Sequence, residues 1–296
     1  MNTITPAGRT NFGQFPYAVV EGGLKKAPPL AHPRQNQLLA SLSESTLSRL
    51  LPHLERVEMP VGDVIYQYGS QSQHVYFPAN SIVSLIYDME DGASAEVAIV
   101  GNEGMVGVGL FMAGETMPGL AMVQCAGYGY RLSARVLKEE FDRSGELQHA
   151  LLCYTQALIV EIAQNAVCNR HHPISKQLCR CLLLAMDRSP SNEMALTHEM
   201  IANSLGVRRE CVTVAAGKLR AEGLIDYKRG HITVLDREGL EANSCECYGV
   251  VKRTFDRLLP ARCEESVTEE NQAYSGHTQY HMPRNGLPTS YLRAMR

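Results

Sequence analysis

Residues 196–233, LTHEMIANSLGVRRECVTVAAGKLRAEGLIDYKRGHIT, constrain the fold more than any other stretch of this chain. Ile201, Leu205, Val207, Val212 and Ala215 recur at helical spacing on both sides of Gly206, so two helices can bury them together only if the chain turns sharply between them. Ala202 is the small side chain that lets the helices cross closely, and Gly206 supplies the turn. The second helix is expected to run from Gly206 to Gly223, a residue suited to a left-handed C-terminal cap. Beyond it, Ile225-Asp226-Tyr227 and Ile232-Thr233-Val234 flank a turn at Arg229-Gly230-His231, which reads as a short basic hairpin. Helix, turn, helix and hairpin in that order make a winged helix-turn-helix.

The same spacing fixes what faces outward. Arg208, Arg209, Glu210 and Thr213 occupy the first turns of the second helix, off the apolar stripe, and are the expected contacts to the base edges of double-stranded DNA. Arginine can donate two hydrogen bonds to guanine, a carboxylate can accept from cytosine N4, and threonine can touch a thymine methyl. Thr197, Lys218, Lys228, Arg229 and His231 suit the phosphate backbone, as does Arg220. A helical hairpin with a solvated charged face would share the apolar stripe. Turn glycine, small crossing residue, exposed Arg-Arg-Glu and basic hairpin nevertheless agree with one another.

A formal net charge of -3 on 296 residues looks wrong for a partner of DNA, but steering depends on where the charge sits. Residues 57–130 contain no Lys or Arg, while Glu58, Asp63, Asp88, Glu90, Asp91, Glu96, Glu103 and Glu115 are acidic. This half should repel DNA. No uninterrupted apolar run reaches the length that spans a bilayer, and the first residues lack an apolar signal core, so no membrane partner and a cytoplasmic location are expected. The nine cysteines form no framework of a small secreted domain, which fits reduced thiols.

The chain divides by pattern into five parts. Residues 1–35 lack periodicity and read as a flexible arm, and residues 261–296 as a polar, disordered tail. Residues 37–54 have helical spacing, with a second start at Ser43-Glu44. Short apolar or alternating runs broken by Gly, Asn and Asp follow over 56–132, a β-roll signature, so 36–142 is expected to form the first domain. Residues 146–172 contain neither Pro nor Gly and read as one long helix within a 143–172 connecting segment. Along it Leu147, Leu151, Tyr154, Leu158 and Ile162 recur at three- and four-residue steps; packing on the chain's own β domain would use the same stripe, but a helix-turn-helix that reads two-fold sites favours dimerisation through it as a coiled-coil seam. Pro173 marks a hinge, 173–260 forms the DNA-binding domain, and 237–259 is a further amphipathic helix. The fold class is therefore α+β, with a β-roll, a long dimerisation helix and a C-terminal winged helix-turn-helix.

A β-roll, a long connecting helix and a winged helix in that order resemble the Crp/Fnr family of bacterial transcription regulators over residues 36–260. On the β side the resemblance rests on Pro60-Val61-Gly62-Asp63-Val64-Ile65 and Gly69, and on the helical side on Gly206-Val207-Arg208-Arg209-Glu210-Cys211-Val212. It implies a cyclic-nucleotide-binding-like fold and a homodimer on an inverted-repeat operator, with RNA polymerase as a further partner. It also implies base contacts by an Arg-Glu pair, here Arg209 and Glu210. A second reading arginine of several members falls at Val214, so the operator should differ at that base pair. In members that bind cyclic nucleotides a Gly-Glu pair holds the ribose and an Arg neutralises the phosphate. Val106-Gly107 stand at the first position here and no Arg follows, so a buried phosphate would lack its cation. The N-terminal cysteines of iron-sulfur members are absent, since the first cysteine is Cys125. Glu103, the acid in the glycine loop, is expected to be solvated, and the effector is not identified.

Cys179-Arg-Cys181 and Cys245-Glu-Cys247 would make a metal or redox site only if brought together, but residues two apart on a helix point to different faces, so core cysteines are expected. His171-His172 at the hinge suits helix termination better than metal binding. No metal, cofactor or catalytic residue is expected, and the chain does not read as an enzyme. A cysteine-histidine hydrolase finds no nucleophile elbow or phosphate loop here. A winged helix that binds a protein instead of DNA is the other alternative, distinguishable by salt dependence.

Overall fold

In the computed structural model the described residues are 32–90, 94–112, 116–189 and 191–260. The expected C-terminal tail and nearly all of the N-terminal arm lie outside them. Residues 33–35 are not loose: they form a turn of 3-10 helix, and Asn36 then caps helix α1 (Gln37–Ala40) by accepting from the Leu39 N–H. The 37–54 region is two helices, because Ser43 stops the first path and caps α2 (Glu44–Leu50) through the Thr46 N–H.

Seven strands follow: β1 (Glu55–Met59), β2 (Val64–Tyr66), β3 (His74–Pro78), β4 (Ile82–Asp88), β5 (Ser94–Val100), β6 (Leu120–Cys125) and β7 (Gly127–Ser133). They make two antiparallel sheets, ordered β1-β7-β3 and β2-β6-β4-β5. Alternate residues such as Val75, Phe77, Tyr130 and Leu132 point into one core, where they meet Leu38, Leu39 and Leu47 from the helices. Buried Asn36 ties the two ends of this layer together by donating to the carbonyls of Pro78 (2.9 Å) and Gly104 (2.7 Å).

Helix α3 (Ala134–Phe141) leads into α4 (Glu146–His171), which closes the roll. Here one expectation is corrected. Leu147, Leu151, Tyr154 and Leu158 are buried among the roll's own side chains, with Ile162 packed beside them, so they form no free seam. The Tyr154 hydroxyl donates to the Met105 carbonyl at 2.9 Å, which the deeply buried ring requires. The uncovered side of α4 carries a second stripe, with Leu152, Ile159 and Val167 each about half exposed and exposed Gln156, Ala163 and Ala166 between them. By length and mean hydropathy α4 is long and apolar enough to cross a membrane, yet polar residues interrupt it and Glu161 in its middle is fully buried and ion-paired.

Pro173 caps α5 (Ile174–Asp187), followed by β8 (Glu193–Met194), α6 (His198–Leu205), α7 (Arg209–Ala221), β9 (Ile225–Lys228) and β10 (His231–Val234). The three strands form one antiparallel sheet, β8-β10-β9. Its first strand was not expected from the Ser189-to-Asn192 loop. The expected single helix at 237–259 is two, α8 (Arg237–Asn243) and α9 (Glu246–Leu258), because Ser244 and Cys245 adopt extended backbone between them. Asn and Ser compete with helix by local hydrogen bonding, which favours a break there.

The two halves share one compact unit. α6 packs on β5, where the Ser204 hydroxyl donates to Glu96 at 2.5 Å, and α9 packs along α4. Burial pushes the Glu96 carboxyl upward.

Candidate nucleic-acid interface

Thr197 begins the site by accepting from the Met200 N–H at 3.1 Å, which caps α6 and leaves its hydroxyl proton free. Ile201, Ala202 and Leu205 on α6 and Val212, Ala215 and Leu219 on α7 are buried together, with Val207 half-buried between them. The turn requires Gly206 at φ 64°, where a side chain would be strained, and the Val207 N–H returns to the Ala202 carbonyl. These contacts rotate α7 so that Val212 faces the core and Arg208, Arg209 and Glu210 face away from it.

Arg208 is the N-cap of α7 but its side chain makes no cap, and Arg208, Arg209 and Glu210 are all exposed. None of the three forms a side-chain ion pair with any described residue, so no internal contact must be broken before they meet a ligand. Thr213 differs: its hydroxyl donates to the Arg209 carbonyl at 3.1 Å and lies 3.1 Å from His198 Nδ1. Its methyl is then the part of the side chain left without a polar partner. Val214, 61% exposed, stands on the same open arc and offers a second apolar contact.

His198 escaped the sequence reading, although its place just inside α6, opposite the wing, gives it a role. Its ring stacks on Tyr227 at 4.2 Å and meets Thr213, so one imidazole joins α6, α7 and the wing. Burial, with the Arg209 charge nearby, holds its pKa below the usual histidine value.

The wing turn is tighter than expected. Arg229 and Gly230 alone make it, at φ 51° and 84°, and His231 lies in β10 opposite Lys228. Lys228 and Arg229 project from the hairpin end, and Lys218 is exposed on α7, whereas His231 Nδ1 sits 3.3 Å from Glu193 and Arg220 pairs with Asp226 at 3.0 Å. The first three have no ion-pair partner among the described residues, while the last two are each held against a carboxylate.

Where the roll, α4 and the end of α5 meet lies a buried ionic triad that corrects the expectation for Glu103. That residue is 7% exposed, and its carboxylate receives the Arg188 Nε at 2.9 Å and the Gly101 N–H at 3.0 Å. Arg188 also reaches Glu161 of α4 at 2.5 and 3.0 Å. Burial pushes the Glu103 carboxyl up against the pull of Arg188, while the two carboxylates outweigh burial and keep Arg188 charged. One guanidinium thus joins the roll's glycine loop, the long helix and the end of α5. The loop residues Met105 and Val106 are themselves buried in the roll core.

The two cysteine pairs stay apart, and Cys245-Cys247 behaves otherwise than a helical pair. Cys245 is the extended N-cap of α9 and Cys247 lies in its first turn, so both sulfurs enter one cluster with Cys168. The Cys247–His172 neighbours are mostly buried, so this pair presents no nucleophile to an open cleft.

An exposed reader helix and basic wing behind a rigid helix-turn-helix define a DNA-binding transcription regulator by class. Residues 176–243 match the family described as the Crp-like helix-turn-helix domain. The global nitrogen regulator of Synechococcus elongatus is 23% identical over 211 residues, covering 68% of this chain and 94% of that protein. The structure of FixK2 from Bradyrhizobium japonicum superposes with a TM-score of 0.55 at 17% identity, covering 65% of this chain and 98% of that one. The c-di-GMP-responsive global regulator CLP of Xanthomonas campestris gives 0.53 at 18% identity, covering 65% and 99%. Residues 176–243 thus carry a Crp-like helix-turn-helix domain, and the described chain shares the fold of these solved regulators.

Proposed function

We propose that the chain reads a specific DNA sequence as a homodimer, each copy placing the first turns of α7 in a major groove of an inverted-repeat operator. The observation that carries this reading is the open arc of α7, on which Arg208, Arg209 and Glu210 stand exposed and free of described ion-pair partners. Arg209 and Glu210 take guanine and cytosine, the Thr213 methyl and Val214 take thymine methyls, and Arg208 reaches base or phosphate. Thr197, Lys218, Lys228, Arg229 and His231 hold the backbone.

Dimerisation runs through the outer stripe of α4, Leu152, Gln156, Ile159, Ala163 and Ala166 with Val167 beside them, whose three- and four-residue steps suit a two-helix seam. The buried Glu103–Arg188–Glu161 triad is the element through which a change in the roll reaches the helix-turn-helix. An effector acts on it only by binding one arrangement better than another.

The test is selection of DNA from a randomised pool, followed by salt titration on the enriched sequence. An inverted repeat with half-sites about one helical turn apart, and affinity falling linearly on log-log axes by about 0.9 per phosphate neutralised, is the expected result. Binding only to a protein partner, without that salt law, rejects it.

A further inference from the structure

Four side chains with metal-binding chemistry converge where α4 ends and α9 begins. Cys168 lies in the last turn of α4, His172 just beyond it, Cys245 at the cap of α9 and Cys247 in its first turn. Their three sulfurs and one imidazole nitrogen all lie within 4.8 Å of one another. Cys168 Sγ is 3.6 Å from Cys245 Sγ, and Cys247 Sγ is 3.4 Å from His172 Nδ1. Bonds of about 2.3 Å to sulfur and about 2.0–2.1 Å to nitrogen, set tetrahedrally, put neighbouring ligands about 3.6–3.8 Å apart. The Cys168–Cys245 and Cys247–His172 separations are therefore close to two edges of a tetrahedron around one ion, the remaining pairs lie within 4.8 Å, and the Cys168–Cys245 pair is far from the roughly 2.05 Å of a disulfide.

The surroundings match a ligand set better than apolar packing. Gln164 Nε2 donates to Cys247 Sγ at 3.1 Å, a contact that a thiolate accepts well. His172 Nε2 lies 3.4 Å from Glu246 Oε1, so a carboxylate can fix the ring with Nδ1 turned toward the sulfurs. Two of the cysteines sit at the N-terminal end of α9, so one short segment supplies both sulfurs. All three are at most 5% exposed, which shields them from oxidants and competing ligands.

We propose that Cys168, His172, Cys245 and Cys247 form a tetrahedral site for a single divalent cation of the zinc type. Binding replaces each thiol proton by a metal–sulfur bond and releases the protons to solvent. The ion pins α9 to the end of α4, one residue before the Pro173 hinge, so its effect is on the rigidity of the joint between the long helix and the helix-turn-helix. The site itself does not depend on what α7 binds.

The test uses the full chain, purified under reducing conditions, stripped with chelator and titrated with Co(II) without oxygen. The expected result is one Co(II) per chain with the ligand-field absorption of tetrahedral thiolate coordination, displaced by one equivalent of Zn(II), and a higher melting midpoint with Zn(II). Cys168→Ser and His172→Ala should each weaken the metal at least tenfold, and Glu246→Gln about tenfold. Cys211→Ser, at an exposed position on α7, should leave binding unchanged. Because Cys168→Ser could unfold the joint, the wild-type titration decides by itself: folded, reduced protein that takes up no tetrahedral Co(II) overturns the site. So does a spectrum indifferent to both Cys168→Ser and His172→Ala, or a Cys168–Cys245 disulfide without cobalt uptake after reduction.

Discussion

Helices α4 and α7 are built alike and left open differently. Each buries one stripe in its own chain, Leu147, Leu151, Tyr154 and Leu158 on the first and Val212, Ala215 and Leu219 on the second. The uncovered arc of α4 is largely apolar, with Leu152, Ile159 and Val167, while that of α7 begins with Arg208, Arg209 and Glu210. An apolar open stripe gains by meeting another of its kind, and a charged, hydrogen-bonding one by meeting a polyanion with donors and acceptors. The difference teaches that the inner face of a helix reports its fold and the outer face its partner.

That comparison can be broken most severely at the joint between the two helices. Arg188→Ala leaves the buried carboxylates of Glu103 and Glu161 without their counter-charge and should cost about 3–5 kcal/mol in a denaturant titration. Retained stability would show that the triad is relieved by water or protonation.

Opposite faces of α4 should then separate. Leu151→Ala is expected to cost about 2–5 kcal/mol of unfolding free energy, being fully buried. Ile159→Asp, half exposed, should leave the unfolding of the monomer nearly unchanged and abolish self-association in sedimentation equilibrium. A dimer that survives Ile159→Asp would move the seam elsewhere.

On α7, Arg209→Ala should lose about 1–3 kcal/mol on the preferred operator and relax choice at one base pair per half-site, measured against a panel of single-base variants. Equal loss on every sequence would reassign it to phosphate. The smallest change is expected at the wing: Lys228→Ala should weaken all sequences alike and reduce the log-log salt slope by about 0.9 per lost contact. Sequence-dependent loss there would make the wing a reader.

Much of this was legible in the chain itself. The turn at Gly206, the small Ala202 at the crossing and the outward Arg208-Arg209-Glu210 follow from residue type and helical period, and the structure places each accordingly. The alternation over 56–132 announced strands in the same way. Period alone did not say which of two stripes on α4 is covered, since both repeat at three and four residues. The roll decided that by taking Leu147, Leu151, Tyr154 and Leu158.

Burial and long-range convergence were decided in the same way. Glu103 looked like a loop acid because its partner Arg188 lies at the end of another helix, far along the chain. His198 joined the interface only when the wing folded back onto it and offered Tyr227 for stacking. Cys168, His172, Cys245 and Cys247 met because the extended backbone at Ser244 and Cys245 turned α9 back along α4. Local period and turn chemistry, which act over a few residues, let the sequence by itself determine the elements and the outward chemistry of α7. Covered faces, paired buried charges and the assembled cysteine cluster depend on contacts between residues distant in the chain, and only the tertiary structure decided them.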